Sequence, residues 1–220
     1  MKLFNINDKL FFDVKIVSVV LRKINNEQYH SGLLYKSDEG NKILHLAWHR
    51  DLQSIEPTKP YIWIELPISE SRSRQVAGMC RLIWKENKNN KIPYAFNSPI
   101  NVFDPITGTF KINNDNVGLT CSSFVLAVLN VSGLDLVIYN SWPKNQSEAI
   151  LWQNQMTQYL EQNGAESEHI ERVREQLGNE RFVPTQVFAS VSSPPMDYDT
   201  AKELSSVVID YIEKWVEKLK

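Results

Sequence analysis

Short apolar and polar stretches alternate over the first third of the chain, which is the pattern of an antiparallel sheet. Residues 10–22 are rich in β-branched and aromatic side chains and have two mostly apolar faces, so they predict a strand that is covered on both sides. Polar residues 25–27 then turn the chain. Further strands are predicted over 30–36, 42–49 and 61–66.

Two of these predicted strands carry histidines, on either side of a predicted hairpin turn. Residues 37–41 read Ser-Asp-Glu-Gly-Asn, a length and chemistry typical of a hairpin connection. His30 begins the strand before the turn. In the returning strand, the two-residue period places His45 and His49 on the same face. The hairpin register decides whether His30 shares that face, and the sequence alone does not give this register.

The rest of the chain is mainly helical in pattern. Residues 89–118 lack a clear period and contain several Asn, Pro and Gly, so they predict a long connection that can form one wall of a site. The predicted helical segments are 69–88, a helix that begins at Thr120 and ends near Gly133, 148–177 with an interruption at Gly164, a short helix from Pro184, and a last helix from about Tyr198.

Strands followed by helices predict a single α+β domain over residues 1–220. We expect an antiparallel sheet packed against a cysteine-bearing helix. Residues 1–140 would form the core of this domain, and residues 141–220 would add a helical C-terminal extension. A chain of 220 residues is long enough to bury such a core.

Composition and charge narrow the classes of partner. With 23% charged residues and a formal net charge of −2, the chain lacks the basic surplus of a protein that binds nucleic acid or an anionic membrane. No apolar run approaches the roughly 18 residues of a membrane span, and the N-terminus has no signal-peptide pattern. Two cysteines, Cys80 and Cys121, are too few for a disulfide scaffold. They indicate a reducing compartment, so we expect a cytoplasmic protein.

Cys121 is the strongest candidate for chemistry. A polar loop leads into Thr120, a good N-cap residue, so Cys121 would lie in the first turn of a helix. The unpaired N–H groups and the helix dipole there favour a thiolate, which is a nucleophile, and the same N–H groups can bind an oxyanion. The alternative is a packing residue, because free cysteines are often buried. Cys80 is predicted to be such a residue, since it lies mid-helix among apolar side chains.

A cysteine nucleophile needs a base, and the base needs a partner that fixes its tautomer. His30 is the candidate base, and His45, flanked by leucines, is the candidate orienting residue, with His49 as its substitute. Each of them can instead be a hydrogen-bonded structural histidine. His169 lies in a polar helical stretch and is predicted to be solvated. The spacing His45-x-x-x-His49 lacks a third ligand, so we expect no metal, and no motif indicates a cofactor.

Three short motifs resemble those of a known group. His-Ser-Gly-Leu-Leu at 30–34, the later His45 in an apolar strand, and Leu-Thr-Cys-Ser-Ser-Phe-Val at 119–125 are similar to segments of circularly permuted papain-like thiol hydrolases. This superfamily includes NlpC-type cell-wall peptidases and lecithin:retinol acyltransferase-like enzymes. The resemblance implies a permuted papain-like fold. It also implies that Cys121 is the nucleophile, His30 the base and His45 the third residue.

These observations predict a cysteine hydrolase or acyltransferase that cleaves an amide or ester bond through an acyl-enzyme on Cys121. By resemblance, peptidoglycan-type peptides or an isopeptide are reasonable substrates, so the expected partner is a peptide or a small molecule. Two other classes stay open. The chain can be a non-catalytic binding module in which Cys121 is a packing residue, or an interaction protein that docks through its C-terminal helices. The oligomeric state is open.

Overall fold

The strands form one antiparallel sheet in the computed structural model, which describes residues 1–8, 10–11, 16–25, 28–58, 60–89, 91–111 and 117–219. The strands are β1 (Val17–Lys23), β2 (Tyr29–Ser37), β3 (Gly40–Trp48), β4 (Asp51–Ile55) and β5 (Ile62–Glu65). Their order across the sheet is β4-β3-β2-β1-β5, and neighbouring strands are antiparallel. The helices are α1 (Glu70–Asn87), α2 (Cys121–Val131), α3 (Ser147–Gln162), α4 (Ser167–Arg174), α5 (Pro184–Ser190) and α6 (Tyr198–Glu217).

These elements confirm the predicted α+β class and the antiparallel sheet. The first strand differs in its start, since β1 begins at Val17 and Leu10 and Phe11 lie outside it. Residues 12–15 of the predicted strand lie outside the described residues. The predicted strand over 61–66 is observed as β5, which pairs with β1.

The sequence did not predict β4. Leu52 and Ile55 are its only apolar residues, so it lacks the run of apolar side chains that marks a buried strand. The small number of apolar residues has a structural reason: β4 is the last strand at one edge of the sheet and is less completely covered than the central strands. Arg50, with φ of 58°, lies in the tight connection that joins β3 to β4.

One face of the sheet packs against helices from both halves of the chain. Helices α1, α2, α5 and α6 contact the strands directly, and α5 also packs along α6. Leu33 and Leu44 from the sheet share one hydrophobic core with Phe124 of α2 and with Ile212 and Trp215 of α6. The C-terminal helices therefore complete the core that holds the sheet and α2 together.

Two smaller cores surround this main core. On the other face of the sheet, Val20, Leu34 and Trp63 pack together, with Phe4 of the N-terminal segment against them. Helices α3 and α4 pack on residues 94–96 through a separate cluster. That second cluster fixes the long connection before α2, and it thereby forms part of the surroundings of Cys121.

Candidate active site

Cys121 is the first residue of α2, as the sequence predicts. The hydroxyl of Thr120 accepts a hydrogen bond from the N–H of Ser123 at 3.2 Å, and the Ser123 hydroxyl accepts one from the N–H of Thr120 at 2.8 Å. This reciprocal cap fixes the start of the helix. The Cys121 thiol is half-buried. The first N–H groups of a helix have no intrahelical acceptor, so those of Cys121 and Ser122 are placed to bind an anion.

The loop that leads into α2 is held against residues 93–97. The N–H of Leu119 donates to the carbonyl of Pro93 at 3.0 Å. The side-chain oxygen of Asn97 accepts hydrogen bonds from the N–H groups of Val117 and Gly118, at 2.7 and 3.2 Å. A Cβ on Gly118 would lie 2.4 Å from the Pro93 oxygen, so only glycine allows this close approach. The position of Cys121 therefore depends on this loop.

His30 and His45 form a hydrogen-bonded pair on adjacent strands. His30 Nε2 lies 2.7 Å from His45 Nδ1, and the two rings meet edge to face at an interplanar angle of 82°. Both side chains are buried, with 8% of His30 and 2% of His45 exposed. Gly32 makes room for the pair, because a Cβ at this position would lie 3.0 Å from the Cβ of His45.

Burial keeps both rings uncharged at neutral pH. Desolvation, with a smaller effect from the positive charge of Arg22, lowers the pKa of His30 to about 4. Burial, then the neighbouring His30 and then Arg22, lower the pKa of His45 to about 3. If Nε2 of His30 carries the proton that is shared with His45, Nδ1 of His30 is unprotonated. A general base needs this state.

A cavity of about 310 Å³ brings the three predicted residues together: Cys121, His30 and His45 all line it. They come from the start of α2, the start of β2 and the C-terminal half of β3, so the fold assembles them from segments far apart in sequence. Cys80 is different. It is fully buried in α1, and burial raises the pKa of its thiol to about 12, which confirms the prediction of a core cysteine.

The other two histidines lie outside this cavity and hold Tyr94. The N–H of Tyr94 donates to Nδ1 of His49 at 3.3 Å, and Nε2 of His169 donates to the Tyr94 carbonyl at 2.9 Å. The pairing of β3 with β4 is irregular between Leu46 and Trp48, so the two-residue period does not extend to His49. The structure therefore pairs His45, not His49, with His30.

The prediction that His169 is solvated is wrong. Only 9% of this side chain is exposed, and its ring lies 4.8 Å from the ring of His49. His169, Ile170 and Val173 together form the buried face of α4. The acidic residues next to His169 in sequence suggested an exposed position and so obscured this face. Burial lowers the pKa of His169 and, to about 4, the pKa of His49.

Most residues of the cavity wall were not predicted from the sequence. Arg22, Tyr94, Trp152 and Arg181 line it. Arg22 had a detectable signal: it ends the apolar run of β1, and the observed register places it opposite His30. No local signal marks Trp152 or Arg181, because only the packing of the C-terminal helices brings them to the cavity.

The described residues contain neither a metal cluster nor a membrane-spanning helix. No group of three His, Cys, Asp or Glu side chains in the described ranges is arranged to hold a metal ion. Among the helices of these ranges, none is both long enough and apolar enough to cross a bilayer.

Comparison with known proteins gives no relative. No protein-family model, curated protein or solved structure matches this chain. Its class is therefore described by its own geometry: an α+β protein in which a cysteine at a helix start and a histidine pair on an antiparallel sheet line one cavity.

Proposed function

We propose that the protein is a cysteine hydrolase or acyltransferase that acts on an amide or ester bond. One observation carries the proposal: the hydrogen-bonded pair of His30 and His45 lines the same cavity as Cys121. The Cys121 thiol lies at the start of a helix. A nucleophile, a base and a group that orients the base are the three parts of a thiol hydrolase site.

The chemistry follows from these positions. The sulfur of Cys121 attacks the substrate carbonyl carbon while Nδ1 of His30 takes the thiol proton, and His45 accepts the Nε2 hydrogen bond that holds the ring. The N–H groups at the start of α2 stabilise the oxyanion. The intermediate collapses, the carbon–nitrogen or carbon–oxygen bond breaks, and His30 protonates the leaving group. Water or another nucleophile then attacks the thioester and gives a proton to His30, the carbon–sulfur bond breaks, and His30 returns the proton to the Cys121 sulfur.

We also propose that the protein has a permuted papain-like fold. The order of the elements, with two histidine-bearing strands before a cysteine-bearing helix that packs on an antiparallel sheet, supports a permuted papain-like architecture. The two free cysteines support a reducing, cytoplasmic setting. A peptide, an isopeptide or a small ester is the substrate class that this chemistry serves.

Acyl-enzyme trapping tests the proposal. The protein is mixed with 4-nitrophenyl acetate and quenched in acid, and its peptides are analysed by mass spectrometry. We expect a burst of nitrophenolate and an acetyl group on Cys121, with Cys80 unmodified as the internal reference. Cys121→Ala should abolish the burst, and His30→Ala should slow acetylation by about 100-fold, because a general base contributes roughly this much.

A different result would change the class of protein. If Cys121 is acetylated no faster in the folded protein than in urea, and His30→Ala makes no difference, Cys121 is a packing residue. The chain would then be a non-catalytic binding module on this fold.

A further inference from the structure

The wall of the cavity carries positive charge without an acid opposite it. Arg22 reaches the cavity from β1, and Arg181 reaches it from the segment before α5. No Asp or Glu lines the cavity among the described residues, and no described carboxylate forms an ion pair with either guanidinium. Glu148 acts on Arg181 electrostatically but does not pair with it.

Aromatic rings hold both guanidinium groups. Cζ of Arg22 lies 5.3 Å from the centre of the Tyr61 ring, and Cζ of Arg181 lies 4.2 Å from the centre of the Trp152 ring. Such an arrangement occupies a face of the guanidinium and leaves its in-plane N–H groups available for a planar anion. The Nε atom of Arg22 is buried and has no hydrogen-bond partner among the described residues.

An unpaired, partly buried cation is unfavourable until an anion joins it. Burial lowers the pKa of Arg181, because water is partly excluded from this guanidinium. A carboxylate that enters the cavity would restore the lost interactions with bidentate, charge-assisted hydrogen bonds. Beside the arginines, Trp48, Met156 and Phe182 provide an apolar wall. The cavity therefore combines an anion site with a hydrophobic surface.

We propose that the substrate of this site carries a carboxylate next to an apolar group, and that Arg22 and Arg181 bind the carboxylate. The assignment of this ligand as a substrate rests on the proposed function, whereas its binding does not. A cavity of about 310 Å³ is at the lower end of the roughly 300–1,000 Å³ of small-molecule sites. It fits an acid, or the acidic end of a longer molecule, the size of one or two amino acids.

Binding to the Cys121→Ala protein tests the proposal without any reaction. The probes are N-acetyl amino acids with small, aliphatic and aromatic side chains, each compared with its neutral amide, and binding is measured by calorimetry and by the fluorescence of the tryptophans in the wall. We expect the best acid to bind at least about tenfold more tightly than its amide. Arg22→Gln and Arg181→Gln should each weaken binding of the acid about tenfold and leave binding of the amide unchanged.

A matched control separates local from general charge effects. Arg74 is an exposed arginine of α1 that pairs with Glu70 and does not line the cavity, so Arg74→Gln should leave binding unchanged. Equal affinity for acids and amides, or no binding tighter than about 10 mM, would overturn the proposal. If acids bind selectively but wild-type protein forms no acyl-enzyme, the anion site stands and the proposed hydrolase fails.

Discussion

Burial of His30, with a smaller effect from the charge of Arg22, sets the pH at which the site can work. His30 must be unprotonated to accept the Cys121 proton, and burial together with Arg22 lowers its pKa to about 4. We therefore expect the acidic limb of kcat/KM near pH 4, and not near the value of about 6.5 of an exposed histidine. Below that limb, the imidazolium cannot act as a base.

Arg22→Gln tests this origin of the acidic limb. Loss of the positive charge stabilises the protonated ring, so the pKa of His30 rises and the limb moves to higher pH. NMR titration of the histidine rings follows the same change without a substrate. Arg74→Gln, on the exposed face of α1, should leave both profiles in place. A wild-type limb near pH 6.5 would contradict the lowered pKa of His30, and a limb that Arg22→Gln does not move would contradict the assigned role of Arg22.

In the β2–β3 pair, the absence of a side chain at Gly32 leaves space for His45. A Cβ at position 32 would lie 3.0 Å from His45 Cβ, Ile43 Cγ2 and the Leu44 oxygen. In Gly32→Ala we expect His45 to shift, the bond to His30 to weaken and kcat to fall. Crowding of this kind also costs about 1–3 kcal/mol of unfolding free energy. Urea unfolding and the acetylation rate measure the two effects.

Gly78 provides the matched control for Gly32. It lies in α1, and a Cβ there would meet nothing closer than Arg81 Nη2 at 3.9 Å. Gly78→Ala should leave the acetylation rate unchanged and stabilise the protein by about 0.5–1 kcal/mol. A Gly32→Ala protein with wild-type stability and activity would show that β2 and β3 tolerate the extra methyl group.

In the loop before α2, Gly118 tolerates a larger side chain even less than Gly32 does. At Gly118 the clash would be with backbone, the Pro93 oxygen at 2.4 Å and its carbon at 2.7 Å, which cannot rotate away. Gly118→Ala must displace the loop and with it the start of α2. We expect acetylation of Cys121 to fall by more than about tenfold, because catalysis depends on placement within about 1 Å.

Substitution of Gly164 is a control that distinguishes the effect of the Gly118 clash from the effect of backbone strain. Its φ of 77° is also unfavourable for alanine, but no atom lies within 4 Å of a Cβ there. Gly164→Ala should therefore cost roughly 1 kcal/mol of stability and leave acetylation of Cys121 as it is. Equal effects of the two substitutions on Cys121 would mean that the Pro93 contact does not position the helix.

For the whole molecule, the buried histidines make stability depend on pH. The pKa values of His30 and His49 are lowered to about 4 and that of His45 to about 3, and the pKa of His169 is also lowered. In the unfolded chain, histidines titrate near pH 6.5. Between these values the unfolded state binds more protons, so the free energy of unfolding falls as the pH falls from about 6.5 towards 4.

The effect is large enough to measure by urea unfolding at pH 7, 6 and 5. His30 alone accounts for a loss of up to about 3 kcal/mol by pH 4, and above pH 7 these groups contribute no slope. His30→Gln should make the dependence between pH 7 and 5 shallower. Stability that is constant or rises as the pH drops through this range would contradict the buried, neutral state of the histidines.

Local sequence patterns were sufficient to predict the elements that have strong signals. Apolar alternation predicted β2 and β5, and Thr120 before an apolar helical pattern predicted the start of α2, because caps and periodicity are properties of neighbouring residues. The mid-helix position of Cys80 likewise predicted its burial. Edge strand β4 escaped prediction because few apolar side chains mark it. The burial of His169 escaped prediction because its neighbours in sequence are acidic.

The composition of the candidate site depends on long-range packing and strand register. The irregular pairing after Leu46 directed His49 to Tyr94 and left His45 as the partner of His30. Packing of the C-terminal helices brought Trp152 and Arg181 to a cavity whose other wall comes from β1 and β3. Register and long-range packing depend on contacts between segments far apart in the chain. A local pattern therefore predicts which residues are available for a site, and only the folded chain decides which of them meet.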